Sequence, residues 1–183
     1  PSQAPGFRLS IMATTIVARL SPSEAILLPD GSVLVSGSDP QDGTHPEEYR
    51  IEKFLLPYNL NGMAPPTFTI ANKDWAWGGS YPIIITSLPT GNYGNMKISL
   101  IGAVSSTHGN SMGSKVIFPA FSISGTTVTI QAPPNGFVSP PGWFQLFVLD
   151  NGTPSYSTWV RIGGDPASLG NWPALPDFTV PGV

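Results

Sequence analysis

The sequence contains no cysteine. That excludes disulfides, thiolate catalysis and cysteine-based metal sites together. Charge is scarce as well: Asp, Glu, Lys and Arg make up only 10% of the chain, against about 25% in an ordinary domain. The eight basic residues are scattered and no two are adjacent, so there is no phosphate-tracking patch and nucleic acid is not an expected partner. No apolar run approaches the roughly 20 residues of a membrane-spanning helix. There are only two histidines, His45 and His108, and only four glutamates, three of them in or beside one polar loop. A two-carboxylate glycosidase needs a pair of acids in one cleft, and this distribution argues against it. No Gly-x-Ser-x-Gly elbow, phosphate-binding glycine loop or Asp-x-Asp-x-Asp-Gly calcium spacing occurs.

What the chain has in excess is turn residues, 20 Gly and 21 Pro among 183 positions, alongside 40% hydrophobic residues. No stretch reads as an amphipathic helix of three turns. Short apolar segments separated by Pro and Gly instead predict a turn-dense all-β domain. Residues 15–20 and 24–28, then Pro29-Asp30-Gly31, then 32–37 predict an N-terminal β-hairpin. Its turn has a mechanism, because proline presets φ and glycine accepts φ > 0. The polar loop 38–48 carries four of the eleven acids, and the domain boundary is placed there. This gives 1–46 as an arm with its hairpin and 47–183 as a sandwich with an irregular tail. Strands are expected at 49–54, 67–71, 83–87, 96–104, 115–118, 127–131, 142–149 and 157–162. The chain opens on Pro1 and carries no signal peptide, so it reads as processed or excised. The sequon Asn151-Gly152-Thr153 precedes Pro154, which disfavours an acceptor.

Several ordered blocks are specific. Pro140-Pro141-Gly142-Trp143-Phe144-Gln145-Leu146-Phe147-Val148-Leu149, then Trp159-Val160-Arg161-Ile162, resemble the closing strands of the galactose oxidase and glyoxal oxidase family, fungal glyoxal oxidases above all. Thr107-His108-Gly109-Asn110-Ser111-Met112-Gly113-Ser114-Lys115 resembles a loop of that family. Ala25-Ile26-Leu27-Leu28-Pro29-Asp30-Gly31 is similar to the last blade of its propeller, and Tyr49–Phe54 to the lead-in to its last domain. The resemblance covers roughly residues 14–173. It implies an immunoglobulin-like antiparallel β-sandwich preceded by a last-blade hairpin, with the rest of the propeller missing.

The resemblance also implies copper-radical chemistry, in which an alcohol or aldehyde is oxidised and O2 becomes H2O2 at a copper held by two Tyr and two His. His108 matches the ligand contributed by the last domain. The Tyr-His pair of the last blade falls on Ser21 and Pro22, between Arg19-Leu20 and Ser23-Glu24. Two more ligand-supporting residues would lie in the missing propeller. Ile123, Val128 and Ser139 stand where relatives often carry half-cystines. The expectation is therefore a non-catalytic protein without a cofactor, with His108 as a relic ligand. The alternative is a fragment or subunit of a copper oxidase, and a third reading is an assembly module.

The aromatic segment Lys73-Asp74-Trp75-Ala76-Trp77-Gly78-Gly79-Ser80-Tyr81 offers a binding surface. On a strand, Trp75 and Trp77 share one face. Sugars stack on flat indoles, and neighbouring polar groups fix their hydroxyls. The opposing reading is that these rings fill the core. Trp75, Trp77, Tyr81, Asp74, Tyr93, His108 and Asn110 form the candidate site, with a carbohydrate or glycoprotein glycan as partner and an extracellular location. His45 is read as a solvated loop residue, and Trp143 and Trp159 as core. The apolar hairpin residues Ile16, Leu20, Ile26, Leu28, Val33 and Val35 exceed what one hairpin can cover. They predict either folding back on the sandwich or a homodimer, the homodimer being preferred.

Overall fold

The computed structural model describes residues 11–107 and 110–165. The N-terminal hairpin forms from β1 (Ser23–Leu27) and β2 (Val33–Gly37), joined antiparallel. A third strand, β3 (Glu52–Phe54), completes the sheet against β2, so the lead-in to the sandwich shares the hairpin's sheet. Residues 15–20 are not a strand. They form a strap tied across the sheet: Arg19 bonds the Gly37 and Arg50 carbonyls and pairs with Glu52, and Thr15 donates to Glu52. Pro22, which has no N–H, stands between this strap and β1.

The remaining strands are β4 (Thr67–Ile70), β5 (Asp74–Trp75), β6 (Ser80–Ser87), β7 (Met96–Gly102), β8 (Ser105–Thr107), β9 (Asn110–Met112), β10 (Val116–Ile117), β11 (Phe121–Ser124), β12 (Thr127–Gln131), β13 (Gly142–Asp150), β14 (Thr153–Pro154) and β15 (Thr158–Ile162). One sheet has the order β10-β7-β13-β15-β5, with β14 added to β13; the other runs β11-β12-β6-β4. Among the described residues only the β15–β5 pairing is parallel. Strands β8 and β9 pair antiparallel in a separate two-stranded sheet.

The two large sheets close face to face as the expected immunoglobulin-like sandwich. Ile98 and Leu100 of β7, Phe144, Leu146 and Val148 of β13, and Val160 and Ile162 of β15 meet Ile83 and Ile85 of β6 and Val128 and Ile130 of β12. Each buried aliphatic side chain of this kind contributes about 1.5–3 kcal/mol. Ile123 stands directly opposite Val128 across β11 and β12. Two of the three positions where the resemblance puts half-cystines are therefore neighbours, filled here by aliphatic side chains.

The hairpin folds back onto the sandwich. The Gln145 side chain donates to the Leu27 carbonyl at 3.1 Å, and the Ser157 amide donates to the Pro29 carbonyl at 2.7 Å. Tyr58 donates to the Gly31 carbonyl at 2.5 Å. Gly31 has φ of 80°, and a Cβ there would stand 3.0 Å from Pro154 and 3.2 Å from Tyr58, so the turn is glycine for both reasons. This contact covers Gln145 and Phe147 on the outer face of the six-stranded sheet. Ile16 remains 98% exposed.

Asp30 holds the hairpin turn to its neighbours, accepting from the Ser32 amide and hydroxyl and from Lys53 of β3. Burial alone would raise its pKa. The Lys53 and Ser32 hydrogen bonds outweigh burial and hold it at about 2, below the ordinary 3.8. A carboxylate depressed in the folded state stabilises above its unfolded pKa and loses that contribution as pH falls through the folded one. Thermal melts between pH 5 and pH 2 should therefore show a loss of stability that Asp30→Asn reduces. An unchanged profile in the variant would contradict this role.

Candidate functional site

The tryptophan pair is split by the end of a strand. Strand β5 stops at Trp75, so the alternation that would align Trp77 with it lapses. Trp75 faces inward and is 1% exposed. Its ring stacks on Tyr81 with centroids 4.9 Å apart and planes 3° apart, and its Nε1 donates to the Asn72 carbonyl at 2.9 Å. Tyr81 is half-buried against the core, and its hydroxyl accepts from the Ala76 amide. Trp75 is thus a core residue, which corrects its assignment to a sugar surface.

Trp77 pins the end of the sandwich. Its Nε1 donates to the Ser139 carbonyl at 2.9 Å, and its ring lies against Gly136 and Gly163. Gly163 has φ of 77°, and a Cβ there would collide with the indole. Asp74 is occupied by Arg161, whose Nε donates to it at 2.9 Å. This pairing holds the Asp74 carboxyl below its usual range. Tyr93 sits in a short 3-10 turn and packs on the core. Asn110 is exposed on β9, in a different sheet. His108 lies outside the described residues. Trp75, Tyr81 and Tyr93 are thus committed to packing, and Asp74 to an ion pair.

A different aromatic surface exists. Trp143 and Trp159, expected in the core, are 46% and 40% exposed. On β13 and β15 the residues that alternate with them, Phe144, Leu146, Val160 and Ile162, take the core face. The tryptophans therefore stand on the outer face. Trp143 lies opposite Arg161 across the sheet, and Trp159 lies opposite Gln145. The Arg161 guanidinium is 5.7 Å from the Trp143 ring centroid, within cation–π range. It is fixed there by Asp74 and by Asp165 at 3.6 Å.

Beside Trp143 opens a cleft of about 350 Å³, lined by Gly102, Gly113, Lys115, Pro140, Pro141 and Trp143 among others. Backbone bonds set its shape: the Gly102 amide donates to the Lys115 carbonyl and the Ala103 amide to the Trp143 carbonyl, both at 2.9 Å. Lys115 extends its Nζ to the Val138 carbonyl at 2.7 Å. The sequence signal for this face was available: Trp159-x-Arg161 places a charge two residues from an indole on one strand, which marks the outer face.

At the two positions where the resemblance puts a Tyr-His pair, the side chains do not suit copper. Ser21 is a poor ligand, and Pro22 has no donor side chain. His45 is exposed on its loop, 2.7 Å from Asp42. Among the described residues no three His, Cys, Asp or Glu side chains converge.

Residues 65–162 match the family model described as galactose oxidase-like, Early set domain. Over all 183 residues the chain is 62% identical to a WSC domain-containing protein of Arthroderma benhamiae, covering 20% of that protein. It is 33% identical over 179 residues to aldehyde oxidase GLOX1 of Arabidopsis thaliana, covering 88% of this chain and 29% of that one. The chain thus spans a fifth to a third of the length of these curated relatives. The solved structure of a fungal alcohol oxidase of the AA5 family, in complex with copper, shares the fold at a TM-score of 0.67 and 18% identity. That likeness covers 76% of this chain and 30% of the other.

The two kinds of tryptophan should respond differently to truncation. Trp75→Ala should cost about 3–5 kcal/mol in chemical denaturation, as expected for a buried ring. Trp143→Ala should cost within about 1 kcal/mol, as an exposed position does. Equal losses at both positions would contradict the assignment of faces.

Proposed function

The chain belongs to the galactose oxidase-like Early set domain family, and on that premise we propose that it is a non-catalytic, glycan-binding module of a longer extracellular protein. The observation that carries this reading is the pair of half-exposed indoles, Trp143 and Trp159, on the outer face of the six-stranded sheet. An indole offers a flat apolar surface with a polar edge, and the C–H face of a pyranose stacks on such a surface. The carboxylates of Asp74 and Asp165 beside Trp143 supply acceptors for hydroxyl groups. The proposal includes no cofactor, because Ser21 and Pro22 hold the positions where the resemblance puts a Tyr-His ligand pair. It also includes pairing of two chains through the apolar surface at Ile11, Ile16 and Leu20, which the hairpin leaves exposed.

A second reading is favoured by the β8–β9 pair, a separate sheet whose strands flank positions 108 and 109 in the sequence. In this reading the chain is part of a copper-radical oxidase, as the relatives named aldehyde oxidases suggest, and His108 meets ligands from elsewhere in a longer protein.

Two assays separate the readings. On a glycan array the 183-residue chain should be retained by a defined subset of glycans, and retention by none would overturn the first reading. With added Cu(II) the chain should produce no H2O2 from aldehydes, alcohols or galactose. Peroxide production that His108→Ala abolishes would establish the oxidase reading instead.

A further inference from the structure

The two cations near Trp143 are not equivalent. Arg161 is saturated: Asp74 and Asp165 share its guanidinium, and it lies over one face of the indole. It positions the ring and contributes no uncompensated charge. Lys115, half-buried as a residue in the wall of the cleft, donates its Nζ to the Val138 carbonyl. An ammonium has three donors, and among the described residues no carboxylate pairs with this one. Among the described residues no acidic side chain lines the cleft. The rest of the lining is an indole, two prolines and glycine backbone, and the volume of about 350 Å³ lies at the small end of the ~300–1,000 Å³ range for small-ligand sites.

A cleft with an apolar plate, one available cation and no acid suits a ligand that is flat, apolar on one side and singly negative. Resting on the glycan-binding reading above, we infer that this cleft binds a uronic acid residue. The pyranose stacks on the open part of Trp143, and the ring carboxylate pairs with Lys115. A simple carboxylate would leave the indole and prolines in water, and a neutral sugar would leave the Lys115 ammonium without a carboxylate partner.

The experiment is isothermal titration of the 183-residue chain with a glucuronic acid-containing oligosaccharide and with the same oligosaccharide after carboxyl reduction to the neutral sugar. The wild type should prefer the acidic form by roughly tenfold or more, the worth of one hydrogen bond between charged groups. Lys115→Gln keeps a donor for Val138 and should remove that preference. Trp143→Ala should weaken both ligands by roughly tenfold or more, with its melting temperature checked in parallel. Equal binding of both oligosaccharides by the wild type, or undiminished binding by Trp143→Ala, would overturn this site. If the chain is retained by other glycans on the array, glycan binding itself still stands. Retention by none would remove both.

Discussion

The structure depends on β13 being apolar on both faces. Phe144, Leu146 and Val148 complete the sandwich core on one side, and Phe147 and the amide of Gln145 lie on the other. A sheet whose outer face carried Phe147 uncovered would place a large aromatic in water. The hairpin formed by β1 and β2 removes that penalty. It covers the strand from Gln145 toward Leu149 and is held by polar contacts at Leu27, Pro29 and Gly31. The short β3, the Asp30–Lys53 pair and the Arg19 strap then fix the hairpin's own geometry. The N-terminal hairpin and the sandwich are therefore one packed unit.

The hairpin's cover also decides where a ligand can reach. It ends short of Trp143 and Trp159, which stay half in water on the same outer face. The inner pair of aromatics, Trp75 and Tyr81, stack on each other inside the sandwich. Trp77 is spent on holding Ser139 and Gly163. Trp143, on the outer face, adjoins the cleft and its lysine.

The fold was largely legible in the sequence because turn residues and short apolar runs punctuate it clearly. The strands at 67–70, 96–102, 127–131, 142–150 and 158–162 stand near their expected places. Period-two logic failed at two points for physical reasons. At Trp75–Trp77 the strand ends after two residues, so the faces are not shared. On β13 both faces are apolar, so alternation cannot say which side is core, and Trp143 was read as buried. The short β5, the β8–β9 hairpin and the β11 strand carry too few apolar residues to register as strands. The hairpin's docking depends on Gln145 meeting a backbone carbonyl 118 positions away, which no local pattern encodes.

The central claim is that the ligand-facing tryptophans are those on the outer face of β13 and β15. The most direct measurement is a 15N correlation spectrum of the indole N–H groups during titration with a glycan that the chain retains. The Trp143 indole resonance should shift progressively while those of Trp75 and Trp77, hydrogen-bonded to Asn72 and Ser139, stay in place. Shifts at Trp75 or Trp77 with Trp143 unmoved would contradict the account.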